Sequence, residues 1–341
     1  MIETRVSPKA PFGQGGELER YVNNEQGSFL TRFAHVKNRV VEVNPYVLSP
    51  LNLTVGEPSP LGLFSHSWTD GSAKKETHLM ECWTRHNRSS LLGRALFGDT
   101  EGRVYRDIDL KGIGHLGFQK VLIPGSIREL QNLNGLLDES SAYFEYQLSE
   151  EFINAGIRTN RVIGIIKLEE LVLGNNLMSV AKARKEHVIK DPDGTFNPVI
   201  LIRAFVTKAR IDDLLEGVQD SGFRRLLIED AKALVSRELG REKVLSDEEY
   251  AVWFTKTLGE NVALMHKNGW AHNYLYRHNI TLDSRIVDLD GVSRISEYDR
   301  KRDLSSAVVS LFSLISKLHP GFSPSGYEEI FQTAYGQFFL Q

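Results

Sequence analysis

Residues 279–288 read NITLDSRIVD, with an amide, Asn279, at one end and a carboxylate, Asp288, at the other. The runs ITL and RIV are apolar or β-branched and flank Asp283–Ser284, the pattern of a short hairpin. In that hairpin Leu282 is expected to face Arg285, Ile280 to face Val287, and Asn279 to face Asp288. Facing residues carry Cβ atoms about 5 Å apart. An amide oxygen and a carboxylate brought together in this way suit Mg2+, which takes one or two protein oxygens and completes its shell with phosphate and water. A surface hairpin with polar ends would have the same pattern.

The residues before the hairpin narrow the choice. LMHKNGWAH closes a helical stretch and places His272 seven residues before Asn279. That is the spacing of the catalytic loop H-R-D-x-x-x-x-N of kinase folds, in which a metal-binding Asp follows, as Asp288 does here within Asp-x-x-Gly. The expected fold is therefore α+β, a bilobal protein-kinase-like domain. The position of the usual catalytic Asp, two after His272, holds Tyr274.

Four further strings are DIDLKGIG (107–114), EYQLSEEFINAGIRTNRVIGII (145–166), VILIRAFVTKAR (199–210) and GWAHNYLYRHN (269–279). In this order they resemble the selenoprotein-O family of kinase-fold protein adenylyltransferases. The likeness runs patchily over roughly residues 94–295 and is absent from the first 90. It implies a reversed ATP, from which AMP rather than the γ-phosphoryl is transferred. On this likeness Lys111 would contact phosphate and Glu145 would hold Lys111, with Glu129 in SIREL as a competitor for that role. Arg203 and Arg210 would bind phosphate, and Asn279 and Asp288 would hold Mg2+. Arg203 lies inside an apolar run, where an unpaired charge is costly, so a partner is expected for it. The family's own base position, one before the metal Asn, holds His278. The base is then His278, which can accept a proton near neutral pH, or Asp290, which shares a face with Asp288 if the strand continues. An anionic acceptor would need neither. Loss of a base lowers rate by roughly 10²–10⁴-fold and does not abolish positioning and charge neutralisation. A conventional kinase acting on the γ-phosphate, and a nucleotide-binding pseudoenzyme that serves as scaffold or regulator, are the competing readings. The acceptor, protein or small molecule, is not identified.

These residues need a scaffold, and 341 residues suffice for two cores. Residues 1–27 are polar and Gly-rich and are expected to form a flexible arm. Residues 28–206 alternate short β-type runs with turns and form the expected β-rich lobe. Its one long helical pattern is 139–156, with Phe144, Leu148 and Phe152 on one face, Ser140 or Ser141 as cap, and Gly156 suited to the αL position past the end. FGDTEGRVYRDIDL reads as a hairpin turning at Asp99–Gly102. Residues 207–341 are mainly helical, with a capping box at Ser246 and Glu249.

The composition, 41% hydrophobic and 25% charged with net charge −3, supplies no electrostatic case for nucleic acid or membrane. The single cysteine, Cys82, excludes an intrachain disulfide. No run approaches the ~18 apolar residues of a membrane span, and no secretory signal is read at the N-terminus, so a cytoplasmic protein is expected. Walker, zincin and serine-hydrolase motifs are absent from the sequence.

Overall fold

The computed structural model describes residues 28–49, 51–66, 77–83, 86, 88–114, 135–173, 176–189, 194–215, 221–318, 321 and 323–340. The arm expected at 1–27 lies outside them. The described chain is α+β and divides into two compact units. One takes in residues 28–144 and Val162–Ala204, the other Glu145–Arg161 and residues 205–340.

The first unit is built on an antiparallel sheet. Its strands are β1 (Ser28–His35), β2 (Asn38–Val43), β3 (Leu63–His66), β4 (Thr77–Trp83), β5 (Ser89–Gly98), β6 (Val104–Lys111), β7 (Leu137–Asp138), β8 (Arg161–Leu168) and β11 (Pro198–Phe205). They run in the order β2-β8-β11-β6-β5-β4-β1-β3, with β7 paired to β11. A separate ribbon joins β9 (Glu170–Leu173) to β10 (Asn176–Ser179). β8 and β11 read RVIGIIKL and PVILIRAF and are buried almost throughout, as continuous apolar runs with strand-length punctuation should be. β5 and β6 pair across the expected turn, Gly98 opposite Val104. Asp99 accepts from the backbone N–H groups of Glu101 and Arg103, and Gly102 takes φ 81°.

Helix α1 (Glu139–Asn154) follows β7. Its cap is Asp138 rather than Ser140 or Ser141, because the Asp138 carboxylate accepts from the Ser140 N–H at 3.2 Å. Gly156 ends it at φ 80°, as expected. A short helix, α2 (Val180–Lys185), lies in the first unit.

The second unit is mostly helical: α3 (Ser221–Glu238), α4 (Asp247–Lys267), α5 (Glu297–Leu318) and α6 (Pro324–Leu340), with the ribbon β12 (Trp270–Ala271) and β13 (Ser293–Arg294). α4 opens with the expected capping box. It packs on α6 where Gly259 sits. A Cβ there would lie 2.7 Å from the Phe331 carbonyl oxygen, so only glycine allows this approach. Among the described residues no helix is long and apolar enough to cross a membrane.

Candidate functional site

The hairpin forms, with one residue more in its loop than expected. Ile280 pairs with Ile286. The Thr281 N–H donates to Arg285 O, and the Val287 N–H to Asn279 O, both at 3.0 Å. The loop is Leu282–Asp283–Ser284, with Ser284 at φ 60°. The ladder is therefore one step out of the expected register, and Asn279 faces Val287 rather than Asp288. The extra loop residue is supported by side chains. Asp283 accepts from Thr281 Oγ1 and Arg285 Nε, both at 2.6 Å. Asn261 Nδ2 donates to Ser284 O at 2.6 Å, and the Tyr250 hydroxyl donates to Leu282 O. Burial and the nearby Asp283 carboxylate push the Tyr250 pKa well above its usual value, so the hydroxyl keeps its proton.

The hairpin is the centre of a small ladder inside the second unit. On one side residues 209–211 pair with 280–282: Ile211 N–H donates to Ile280 O at 3.0 Å and Leu282 N–H to Ala209 O at 2.8 Å. On the other side Thr159 bridges Ile286 in parallel, and Arg285 Nη1 donates to Thr159 O at 2.9 Å. This ladder places Arg210 beside the Asn279 loop. Arg210 is 8% exposed, and its Nη1 donates to His278 O. Among the described residues its guanidinium meets that carbonyl and no carboxylate, and its buried Nε has no partner. A buried guanidinium without a counter-charge is costly unless an anion completes it.

Asn279 shows the complementary deficit. Its Nδ2 donates to Tyr274 O at 2.8 Å, which fixes the amide, while its buried Oδ1 has no donor. Asp288, at φ 66° and ψ 57°, turns the chain out of the ladder into a tight turn over Leu289–Gly291. Left-handed backbone is rare for a residue with a side chain and clusters at functional sites. Three of the four such residues described, Asn273, Ser284 and Asp288, fall in this segment. The turn corrects one expectation: the strand does not continue past Asp288, so alternation does not carry Asp290 to its face, and Asp290 is exposed.

His278 keeps an exposed edge, and its ring lies 6.1 Å from that of Tyr276 at an interplanar angle of 19°. Desolvation of its packed side and then the Arg210 charge pull its pKa below the ordinary value, while Asp288 and Asp212 oppose them. A neutral imidazole with a free lone pair at pH 7 follows.

One organising residue escaped sequence reading. Asp303, wholly buried in α5, accepts from His272 N–H at 2.6 Å and Asn273 N–H at 2.9 Å, and His266 Nε2 lies 3.5 Å away. His272 itself bonds Val287 O through Nε2 at 3.0 Å, so it braces the hairpin. No periodic signal distinguishes Asp303 from other polar residues of α5.

The remaining candidates are met in other surroundings. Lys111 ends β6, buried in the first unit, and Glu145 is buried in the second. Glu129 lies outside the described residues. Arg203 has the partner its burial demanded: Nε and Nη2 each donate to Asp109 at 2.9 Å. The cost that pointed to a phosphate there is met within the sheet. Gly112 and Gly114 take φ 95° and 94°, and a Cβ at Gly112 would lie 2.4 Å from Val199 O, so the close approach of the sheet's own backbone requires glycine there.

No family model matches the chain, and no curated protein matches it. Geometry therefore carries the functional reading. Among the described residues no three His, Cys, Asp or Glu side chains gather to hold a metal. An ion at this site would rest on the Asn279 amide and the Asp288 carboxylate, with its other oxygens supplied from outside the protein, as Mg2+ accepts.

Proposed function

We propose that this protein binds ATP with Mg2+ and transfers AMP from it to an acceptor, on a kinase-like fold similar to that of the selenoprotein-O adenylyltransferases. The observation that carries the reading is the pairing of two deficits on one ladder. Among the described residues Arg210 is buried without an anion, and Asn279 Oδ1, next to the carbonyl that Arg210 bonds, is buried without a donor. A phosphate accompanied by a cation satisfies both. Asn279 and Asp288 would hold Mg2+, which would neutralise charge on the leaving pyrophosphate.

The chain's own groups supply position and charge. Arg210 presents its guanidinium to a phosphate oxygen, Tyr274 O holds the Asn279 amide, and His272 and Asp303 hold the loop. The acceptor oxygen attacks the α-phosphorus, the bond to the β-phosphate oxygen breaks, and pyrophosphate leaves. The acceptor's proton passes to neutral His278, or is absent when the acceptor is a carboxylate or phosphate. With Tyr274 and His278 where carboxylates would be expected, binding of Mg·ATP without turnover is the second reading.

Incubation with ATP labelled at the α- or the γ-phosphate, in the presence of denatured cellular protein and small hydroxyl and carboxylate acceptors, separates the readings. Label is expected to move from the α position. Movement from γ alone overturns the reading. No movement, with Mg·ATP still raising the melting temperature, favours the second. Asn279→Ala with Asp288→Ala should abolish the Mg2+-dependent part of that shift; an unchanged shift removes the metal assignment.

A further inference from the structure

We propose that Asn273, oriented by Arg302, is a positioning residue that sets where Asn279 and Asp288 stand relative to each other. The inference rests on the reading above, in which these two side chains hold the divalent cation.

Asn273 is bonded through both ends of its amide and through its backbone N–H. Its Nδ2 donates to Ser293 Oγ at 2.7 Å, to Gly291 O at 3.2 Å and to Ala271 O at 3.3 Å. Its Oδ1 accepts from Arg302 Nη2 at 2.8 Å. Its N–H donates to Asp303 at 2.9 Å, and its backbone sits at φ 68°. One amide thus ties together three pieces: the loop 271–279, the turn after Asp288, and helix α5. The next residue, Tyr274, repeats the connection. Its carbonyl holds Asn279 Nδ2, and its ring covers Gly291, where a Cβ would approach Tyr274 Cδ2 to 3.1 Å.

The contribution of Arg302 follows from the symmetry of an amide. Oxygen and nitrogen are nearly the same shape, and an amide in a polar setting can sit either way round. A guanidinium at Oδ1 leaves only the orientation that turns Nδ2 toward Gly291 O and Ser293 Oγ. Arg302 is itself braced, its guanidinium carbon 5.8 Å from the Tyr274 ring centroid and 5.7 Å from that of Tyr298. A left-handed Asn costs backbone energy, and the bonds it makes in this conformation account for its retention.

Asn273→Gly is the informative variant, because glycine keeps the left-handed backbone and removes only the amide. Mn2+ binding is followed by electron paramagnetic resonance with and without ATP, nucleotide binding is measured in EDTA, and melting is followed by circular dichroism. Mn2+ affinity is expected to fall about 10–100-fold, the usual effect of losing a group that orients metal ligands. Nucleotide affinity in EDTA should stay unchanged. Hydrogen exchange should quicken in both 274–279 and 288–294. Arg302→Met should show a smaller loss in the same direction, which Arg302→Lys partly restores. Should the glycine variant fail to fold, Asn273→Asp decides, since it can still accept from Arg302 but cannot donate to Gly291 or Ser293. Wild-type Mn2+ binding with equal affinity in the variant overturns the inference alone. A wild-type protein that binds no Mn2+, with or without ATP, overturns the metal site and the inference together.

Discussion

Arg203 and Arg210 stand seven residues apart, are 1% and 8% exposed, and meet opposite surroundings. Arg203 lies in the first unit's sheet, where Asp109 answers it with two hydrogen bonds of 2.9 Å. The same sheet closes other charges on themselves. Arg106 Nε donates to Asp107 at 2.8 Å, and Arg94 stands opposite Asp107 across β5 and β6. Arg210 lies in the second unit, where the ladder supplies a carbonyl and no carboxylate. Burial alone does not mark a functional charge. What distinguishes Arg210 is burial without compensation, beside an amide oxygen in the same condition. A fold stabilised by charge closes its pairs, whereas a site for a charged ligand leaves them open until the ligand arrives.

The comparison is broken most directly at its closed end. Asp109→Ala removes the carboxylate that answers buried Arg203, and should cost about 3–5 kcal/mol in urea unfolding. Replacing both, as Asp109→Leu with Arg203→Met, should recover most of that loss. If Asp109→Ala costs nothing measurable, Arg203 does not depend on Asp109 and the contrast fails. At the open end the expectation reverses. Arg210→Gln should change stability by no more than about 1 kcal/mol, the worth of its one bond to a carbonyl. It should instead lower affinity for Mg·ATP about 10–100-fold, the range for charge-assisted hydrogen bonds, as read by calorimetry. A large stability loss with intact nucleotide binding would place Arg210 with Arg203.

How far the sequence reached follows the same division between local and distant causes. Gly156 past α1, the turn at Asp99–Gly102 and the box at Ser246 and Glu249 were all legible, because each is decided within a few residues. The hairpin at 279–288 was legible as a hairpin, since its apolar runs state the period. Its register was not, because the left-handed Ser284 depends on Asn261, Arg285 and Asp283 closing around it. Arg203 was rightly expected to need a partner, but Asp109 lies 94 residues earlier in the chain. Asp303, which holds the backbone of His272 and Asn273, carries no local signal at all. Gly112 makes room for Val199 O, a close approach that only the folded sheet creates.

The smallest effect lies with a charge that never leaves water. Glu249 is exposed, and its carboxylate accepts from Ser246 N–H at 2.8 Å and Arg241 Nη1 at 2.7 Å. The Ser246 backbone bond, then Arg241 and the Ser246 hydroxyl, hold its pKa at about 2 against an ordinary value of 4.5. A carboxylate depressed in the folded state stabilises the fold above its unfolded pKa and loses that contribution as pH falls toward the folded one. Stability measured between pH 4.5 and 2 should therefore carry a slope that Glu249→Gln flattens. Ser246→Ala removes the other half of the box and should cost about 1 kcal/mol at neutral pH. It should leave most of the Glu249 depression in place, because the backbone N–H of residue 246 remains, and carboxyl chemical shifts report this. If Arg241→Gln instead returns that titration to the ordinary range, Arg241 rather than the cap holds the charge. The exposed end of the comparison would then rest on a surface ion pair, which is worth little.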